Sequence, residues 1–211
     1  MSDGTRPDHR KSLAGKTFVV NRGAMRVTFD RPADHVWTHV LIERDDGVVY
    51  RMHAGPVTAE IPHDLVHFTV EEALGITDGI WGAIAGGVVF RSMTHVSGRR
   101  PPHAGEQSAA LIRAHRDDLQ RAELLGGFIE RLAEASDAAE LRTLNATFGA
   151  WLSPAPDPAA ISRAVAALRA AQDRWRALPV GGRMVLEWPA HRRVRAPARS
   201  RPVRRSRTGR R

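Results

Sequence analysis

Residues 61–90 read IPHDLVHFTVEEALGITDGIWGAIAGGVVF, and the way this stretch folds decides how the rest of the chain must be arranged. Pro62 suits the opening of a helix, where its missing N–H would have no intrahelical partner. Asp64 complements the helix dipole in the first turn, and Gly75 suits the left-handed residue that ends a helix. In projection at about 100° per residue, Leu65, Val66, Phe68, Val70, Ala73 and Leu74 cover most of the circumference. His63, Asp64, His67 and Glu71 share the sector that remains. A helix apolar on so many sides is expected to be buried on several of them, and its polar stripe must then be satisfied. Residues 79–85 are read as a second short helix or tight turn. Their glycines and alanines favour close backbone packing over a phosphate cradle, because no glycine-rich nucleotide fingerprint with its lysine or acidic partner is present.

Immediately upstream, residues 36–53 read VWTHVLIERDDGVVYRMH. Two strands, 36–44 and 48–53, flank Asp45-Asp46-Gly47. A three-residue loop with Gly47 left-handed sets Ile42 opposite Tyr50 and Val40 opposite Met52, so that Val36, Val40, Ile42, Val48, Tyr50 and Met52 share one apolar face. A two-residue loop would set Ile42 opposite Arg51 and spoil that face. The preferred register also makes His39 and His53 cross-strand neighbours on the other, more mixed face.

Further out, a strand signal begins near Phe18 and strengthens over 24–30, where Met25, Val27 and Phe29 alternate with Arg26 and Thr28. Residues 96–105 read as a linker, rich in glycine and proline. The period then becomes helical over 106–135, with Gly126-Gly127 as an expected kink. A shorter helix follows from Asp137 to about residue 148, and another from the Asp157-Pro158 cap to about residue 177. Residues 184–188 form a closing strand. The expected architecture is α+β: a small antiparallel meander packed with the central helix, plus a C-terminal helical hairpin and the closing strand. One domain is expected over 17–188 (sheet and central helix 17–98, helical part 106–177, closing strand 183–188), between a disordered N-terminus at 1–16 and a disordered arginine-rich tail at 189–211.

The chain has 211 residues and no cysteine, which excludes disulfides and thiolate metal sites and leaves histidine and carboxylate as metal ligands. The first residues contain no apolar run of the kind a secretory signal needs. The longest uncharged apolar-rich run, 79–90, falls short of the roughly 20 residues that span a bilayer. A cytoplasmic location with no transmembrane segment is therefore expected. The formal net charge is +9, but ten arginines lie after Pro189 (192, 193, 195, 199, 201, 204, 205, 207, 210 and 211) with no acidic residue among them. The rest of the chain carries 22 basic and 23 acidic residues, so the body is close to neutral.

The core Pro62-His63-Asp64-Leu65, with His67-Phe68 and Val70-Glu71, resembles that of a group of small uncharacterised bacterial proteins sharing a Pro-His-Asp-Leu-x-His-Phe-x-Val-Glu pattern. The resemblance covers residues 24–95 and extends to Val185-Leu186-Glu187-Trp188-Pro189. It implies that this part of the chain is one module and carries no reaction with it.

Three function classes follow. The leading expectation is a non-catalytic interaction module, in which Asp64 caps the helix, His67 pairs with Glu71 and His63 bonds to a backbone carbonyl. The alternative is a small metal-dependent hydrolase. His63 and His67 stand at i, i+4, a spacing that brings two imidazoles to a common point for zinc or another divalent metal. Glu71, or more easily His53 backed by His39, would supply a third ligand, because Glu71 lies two turns from His63. His-Asp-x-x-His is one methylene short of the zinc-peptidase signature, so Asp64 as the base would stand further from the metal. The third expectation is weak, sequence-independent binding of nucleic acid or another polyanion through Arg192, Arg193, Arg195, Arg204, Arg205, Arg207, Arg210 and Arg211. No aromatics are interleaved there for base stacking.

Overall fold

The computed structural model describes residues 23–33, 37–56, 60–135, 142–143, 154 and 156–195. In chain order the elements are β1 (Ala24–Asp30), β2 (Trp37–Glu43), β3 (Val49–Pro56), α1 (His63–Leu74), α2 (Ile80–Gly86), β4 (Met93–Ser97), α3 (Ala104–Ala114), α4 (Arg116–Glu134), α5 (Pro158–Ala177) and β5 (Arg183–Pro189). The strands form one antiparallel sheet in the order β4-β3-β2-β1-β5. The fold is α+β, and the closing strand returns against β1.

The hairpin adopts the three-residue loop. Ile42 pairs with Tyr50, Val40 with Met52 and His39 with His53. Gly47 has φ +80, a conformation that suits glycine. The Arg44 N–H donates to the Val48 carbonyl at 3.0 Å, and Asp46 Oδ1 accepts from the Val48 N–H at 3.1 Å.

Helix α1 is the middle layer of the molecule. On one side Leu65 and Phe68 join Met25, Val27, Phe29, Val40, Ile42, Tyr50 and Met52 of the sheet. The Phe68 ring meets Phe29, Trp81 and Trp188 edge-on, with centroids 6.3, 5.2 and 5.4 Å away, a favoured aromatic geometry. On the other side Val66 and Val70 pack against Leu125, Phe128, Ile129 and Leu132 of α4 and against Ala164 and Leu168 of α5. Both cores therefore draw on α1, as its nearly continuous apolar circumference required, and α5 also reaches the sheet side through Trp175.

Three expectations are corrected. The stretch read as a linker contains the end of an edge strand, β4, and the start of α3. Only Met93 of that strand is buried, so it lacks the alternation by which a strand with one face in the core is recognised. The helix expected over 106–135 breaks at His115, whose backbone leaves the helical region (φ −111, ψ 24), and Asp117 and Asp118 then occupy the first turn of α4. Gly126 and Gly127 lie inside α4 without breaking it. Finally, the segment after Pro189 stays on the body as far as Arg195. Val194 is buried against Ala83, Val88 and Leu111, its N–H donates to the Gly82 carbonyl at 3.1 Å, and Trp188 Nε1 donates to the Arg192 carbonyl at 2.5 Å. The rest of the arginine stretch, the N-terminal expectations and all but two residues of the 137–148 helix lie outside the described residues. Among the described residues no helix is long and apolar enough to cross a membrane.

Because α1 serves both cores, damage on its sheet side should unfold the whole unit. Phe68→Ala is expected to cost about 3–5 kcal/mol, with tryptophan fluorescence and circular dichroism giving one shared urea midpoint. Separate midpoints would show that the two cores melt independently.

Candidate metal centre

The polar stripe of α1 divides between two neighbours. His67 is buried, and its ring faces α4, where Gly126 stands against it. His67 Nε2 lies 3.1 Å from His63 Nε2 and 3.1 Å from Glu123 Oε2 of α4, while His63 Nε2 lies 4.0 Å from the same oxygen. Three ligand atoms thus converge, with His67 enclosed and with His63 and Glu123 at the surface, their side chains 65% and 53% exposed. Among the described residues this is the group whose donors could hold a metal ion.

The separations suit a metal. A point about 2.0 Å from all three atoms lies in their common plane, against zinc–imidazole bonds of 2.0–2.1 Å. A tetrahedral centre would need the widest pair to close from 4.0 Å to about 3.4 Å, a movement within reach of two exposed side chains. Protons fit the cluster less well than a cation does. One imidazole nitrogen carries at most one hydrogen, so His67 Nε2 cannot make separate, well-formed hydrogen bonds with both neighbours through its donor. The hydrogen bond from His67 holds the Glu123 carboxyl below the ordinary carboxylate range, in spite of partial burial. His67 Nδ1 is buried and has no hydrogen-bond partner among the described residues.

The other residues singled out in the sequence fall elsewhere. Glu71 does not pair with His67 or approach the cluster. Its Oε1 accepts from the Ile80 N–H at 2.8 Å and its Oε2 from the Trp81 N–H at 3.0 Å. It caps α2 from a distance, because Gly79 at the N-cap has no side chain to do so. A Cβ on Gly79 would stand 2.5 Å from that carboxylate. Burial pushes the Glu71 carboxyl up to about 7, against the opposing pull of the amide hydrogen bonds.

His39 and His53 are cross-strand neighbours with ring centroids 4.9 Å apart, but α1 packs on the opposite, apolar face of the sheet. The sheet itself keeps them from the cluster. Asp64 lies beside it, half-buried. Burial raises its carboxyl above the ordinary range, the His63 and His67 rings oppose that rise and Glu123 adds to it. The Asp64 carbonyl accepts from Trp81 Nε1 at 3.1 Å. Of the arginines, Arg192 donates to the Glu72 carbonyl at 2.9 Å, Arg193 pairs with Asp45 at 2.5 Å, and the Arg195 carbonyl lies 3.4 Å from His115 Nε2. Arg204, Arg205, Arg207, Arg210 and Arg211 lie outside the described residues.

The member of the cluster that sequence reasoning missed is Glu123. Its signal was the glycine pair three and four residues later. A glycine inside a helix costs about 1 kcal/mol relative to alanine, so Gly126 inside an amphipathic helix marks a close approach. No protein family, curated protein or solved structure matches this chain.

Glu71 binds its proton more tightly in the folded chain than in the unfolded one. Its contribution to stability is therefore full below 4.5 and is lost as pH rises through about 7. Between about pH 5 and pH 8 the urea midpoint should fall more steeply for the natural protein than for Glu71→Gln. Parallel pH profiles would mean that Glu71 is not the source.

Proposed function

We propose that the protein binds one divalent metal ion through His63, His67 and Glu123 and uses it for hydrolysis. The observation that supports this is the convergence of three donor atoms, from two helices, on one point at metal-bond radius. Two imidazoles and one carboxylate, with a position left for water, form a set used by catalytic zinc sites. The exposed side of the cluster, between His63 and Glu123, is where water and substrate would enter. A metal bound there would polarise a substrate carbonyl or phosphoryl oxygen and acidify water. His67 fixes the depth of the site from inside the protein, Glu123 supplies the negative charge that offsets the cation, and Asp64, beside the cluster, is the group to accept a proton.

The non-catalytic reading uses the same ligands differently. A metal held between α1 and α4 would join the two helices and stabilise the fold, with no reaction. In both readings ligand binding to the folded state raises stability, by about 2.7 kcal/mol when free metal is 100 times its Kd.

Protein purified without a histidine tag should hold close to one equivalent of zinc by mass spectrometry of the native protein. His67→Ala and Glu123→Ala should each lower that occupancy and abolish the metal-dependent rise in melting temperature. Asp64→Asn should keep the metal and lose hydrolysis of an activated ester or phosphoester. A metal-free natural protein that also gains no stability from added zinc would overturn the proposal, and metal retained without hydrolysis would leave only the staple.

Of the arginines expected to bind a polyanion, Arg192 and Arg193 are engaged with Glu72 and Asp45, so the proposed binding falls to those beyond Arg195. A chain ending at Arg195 should lose salt-sensitive binding to duplex DNA, since few clustered cations remain to displace counterions. Unchanged binding by that chain would place the contact on the body.

A further inference from the structure

We infer that Gly126 is a positioning residue for the metal centre: the absence of its side chain seats the His67 ring at the point where His63 and Glu123 can meet it. The inference rests on the metal-binding proposal and assigns a role to a residue that touches no metal. A Cβ built on Gly126 would lie 2.6 Å from His67 Cε1, 2.8 Å from Nδ1 and 3.3 Å from Nε2. All three are ring atoms of a side chain that is only 2% exposed, so the ring has little freedom to withdraw. The neighbouring Gly127 provides the contrast, since a Cβ there would meet nothing within 4 Å.

An alanine at position 126 can be accommodated in two ways, and each disturbs the same triangle. The imidazole can turn about its side-chain torsions, which carries Nε2 away from the two atoms now 3.1 Å from it. Alternatively, α4 can move off α1, which carries Glu123 with it, because Glu123 is one helical turn from Gly126 on the same helix. A metal centre needs its donors held within about 0.5 Å of the productive geometry, so either response lowers affinity. The contact also accounts for a glycine at position 126 inside a helix that it weakens.

The test is a cobalt(II) titration of the full, metal-stripped chain, read by the ligand-field absorption of bound cobalt, for the natural protein, Gly126→Ala and Gly127→Ala. The natural protein and Gly127→Ala should bind about one equivalent with the same bands, while Gly126→Ala should bind at least about tenfold more weakly or with shifted bands. A mere loss of helix stability would not shift the bands. Identical affinity and bands in Gly126→Ala would overturn the inference while leaving the metal centre intact. Failure of the natural protein to bind cobalt would instead overturn the metal centre itself, and with it the positioning role.

A thermodynamic cycle covers the case in which Gly126→Ala folds poorly. If the ring is what the glycine makes room for, Gly126→Ala should destabilise the natural protein and be neutral or stabilising in a His67→Ala background. An equal loss in both backgrounds would show that α4 needs the glycine for some other neighbour, and would also overturn the inference.

Discussion

The burial of α1 on two opposite sides is the constraint on which the rest of the structure depends. One flank closes the sheet and the other receives α4 and α5, so Leu65, Val66, Phe68 and Val70 are each almost entirely removed from water. Full burial of a side chain of this kind contributes about 1.5–3 kcal/mol, and α5 adds to both cores as well, through Trp175 on the sheet side and Ala164 and Leu168 on the other. The consequence is polar. A twelve-residue helix so enclosed still carries His67 and Glu71 into regions where water cannot satisfy them, and an unpaired buried polar group costs about as much as one of those apolar side chains gains.

The chain meets that demand twice by the same means. At Gly79 and again at Gly126 a backbone without a Cβ comes up against a polar side chain of α1 at a distance that alanine could not adopt unchanged. At the first position the outcome is a closed hydrogen-bond group: the Glu71 carboxylate takes two orphan amides of α2 and holds that short helix in place. At the second the outcome stays open. One nitrogen of His67 faces two further donor atoms at the surface, and the other has no partner among the described residues. The first glycine completes a structural contact, whereas the second presents a buried imidazole to two solvent-facing side chains. Those side chains, His63 and Glu123, keep enough exposure to adjust their positions.

Much of this was readable in the residues, and the part that was not has a physical reason. The hairpin register followed from hydrophobic consistency alone, because a slip of one residue would have exchanged the faces of Ile42 and Arg51. The caps at Gly75 and Asp157 followed from local backbone chemistry. The edge strand β4 was missed because an edge strand with one buried residue has no period to detect. Within the site, His63 and His67 were found because their relation is local, fixed by one turn of helix. Glu123 was not, because its relation to them depends on which helix crosses α1 and where, a long-range packing outcome that helical periodicity does not encode. Glu71 was misassigned for the converse reason. Its i, i+4 relation to His67 suggested a pair, but the two amides of α2 compete for the same carboxylate and win, because first-turn amides of a helix lack intrahelical acceptors.

That competition also separates Glu71 of α1 from Glu123 of α4. Glu71, once it caps α2, is not available to a cation, and its carboxyl is held near neutrality by burial rather than by a charged partner. Glu123 reaches the cluster from the solvent side, keeps its charge through the hydrogen bond from His67, and retains enough exposure to move. A carboxylate that is to hold a metal must be ionised at ordinary pH and able to adjust, and of the two carboxylates only Glu123 meets both conditions. The helix-to-helix placement of that one side chain, rather than the two histidines that first draw the eye, turns an i, i+4 pair into a three-point centre. A cluster built this way spans two elements, so what holds α4 against α1 also holds its three side chains together. Packing and chemistry therefore meet at the same few residues of the α1–α4 seam.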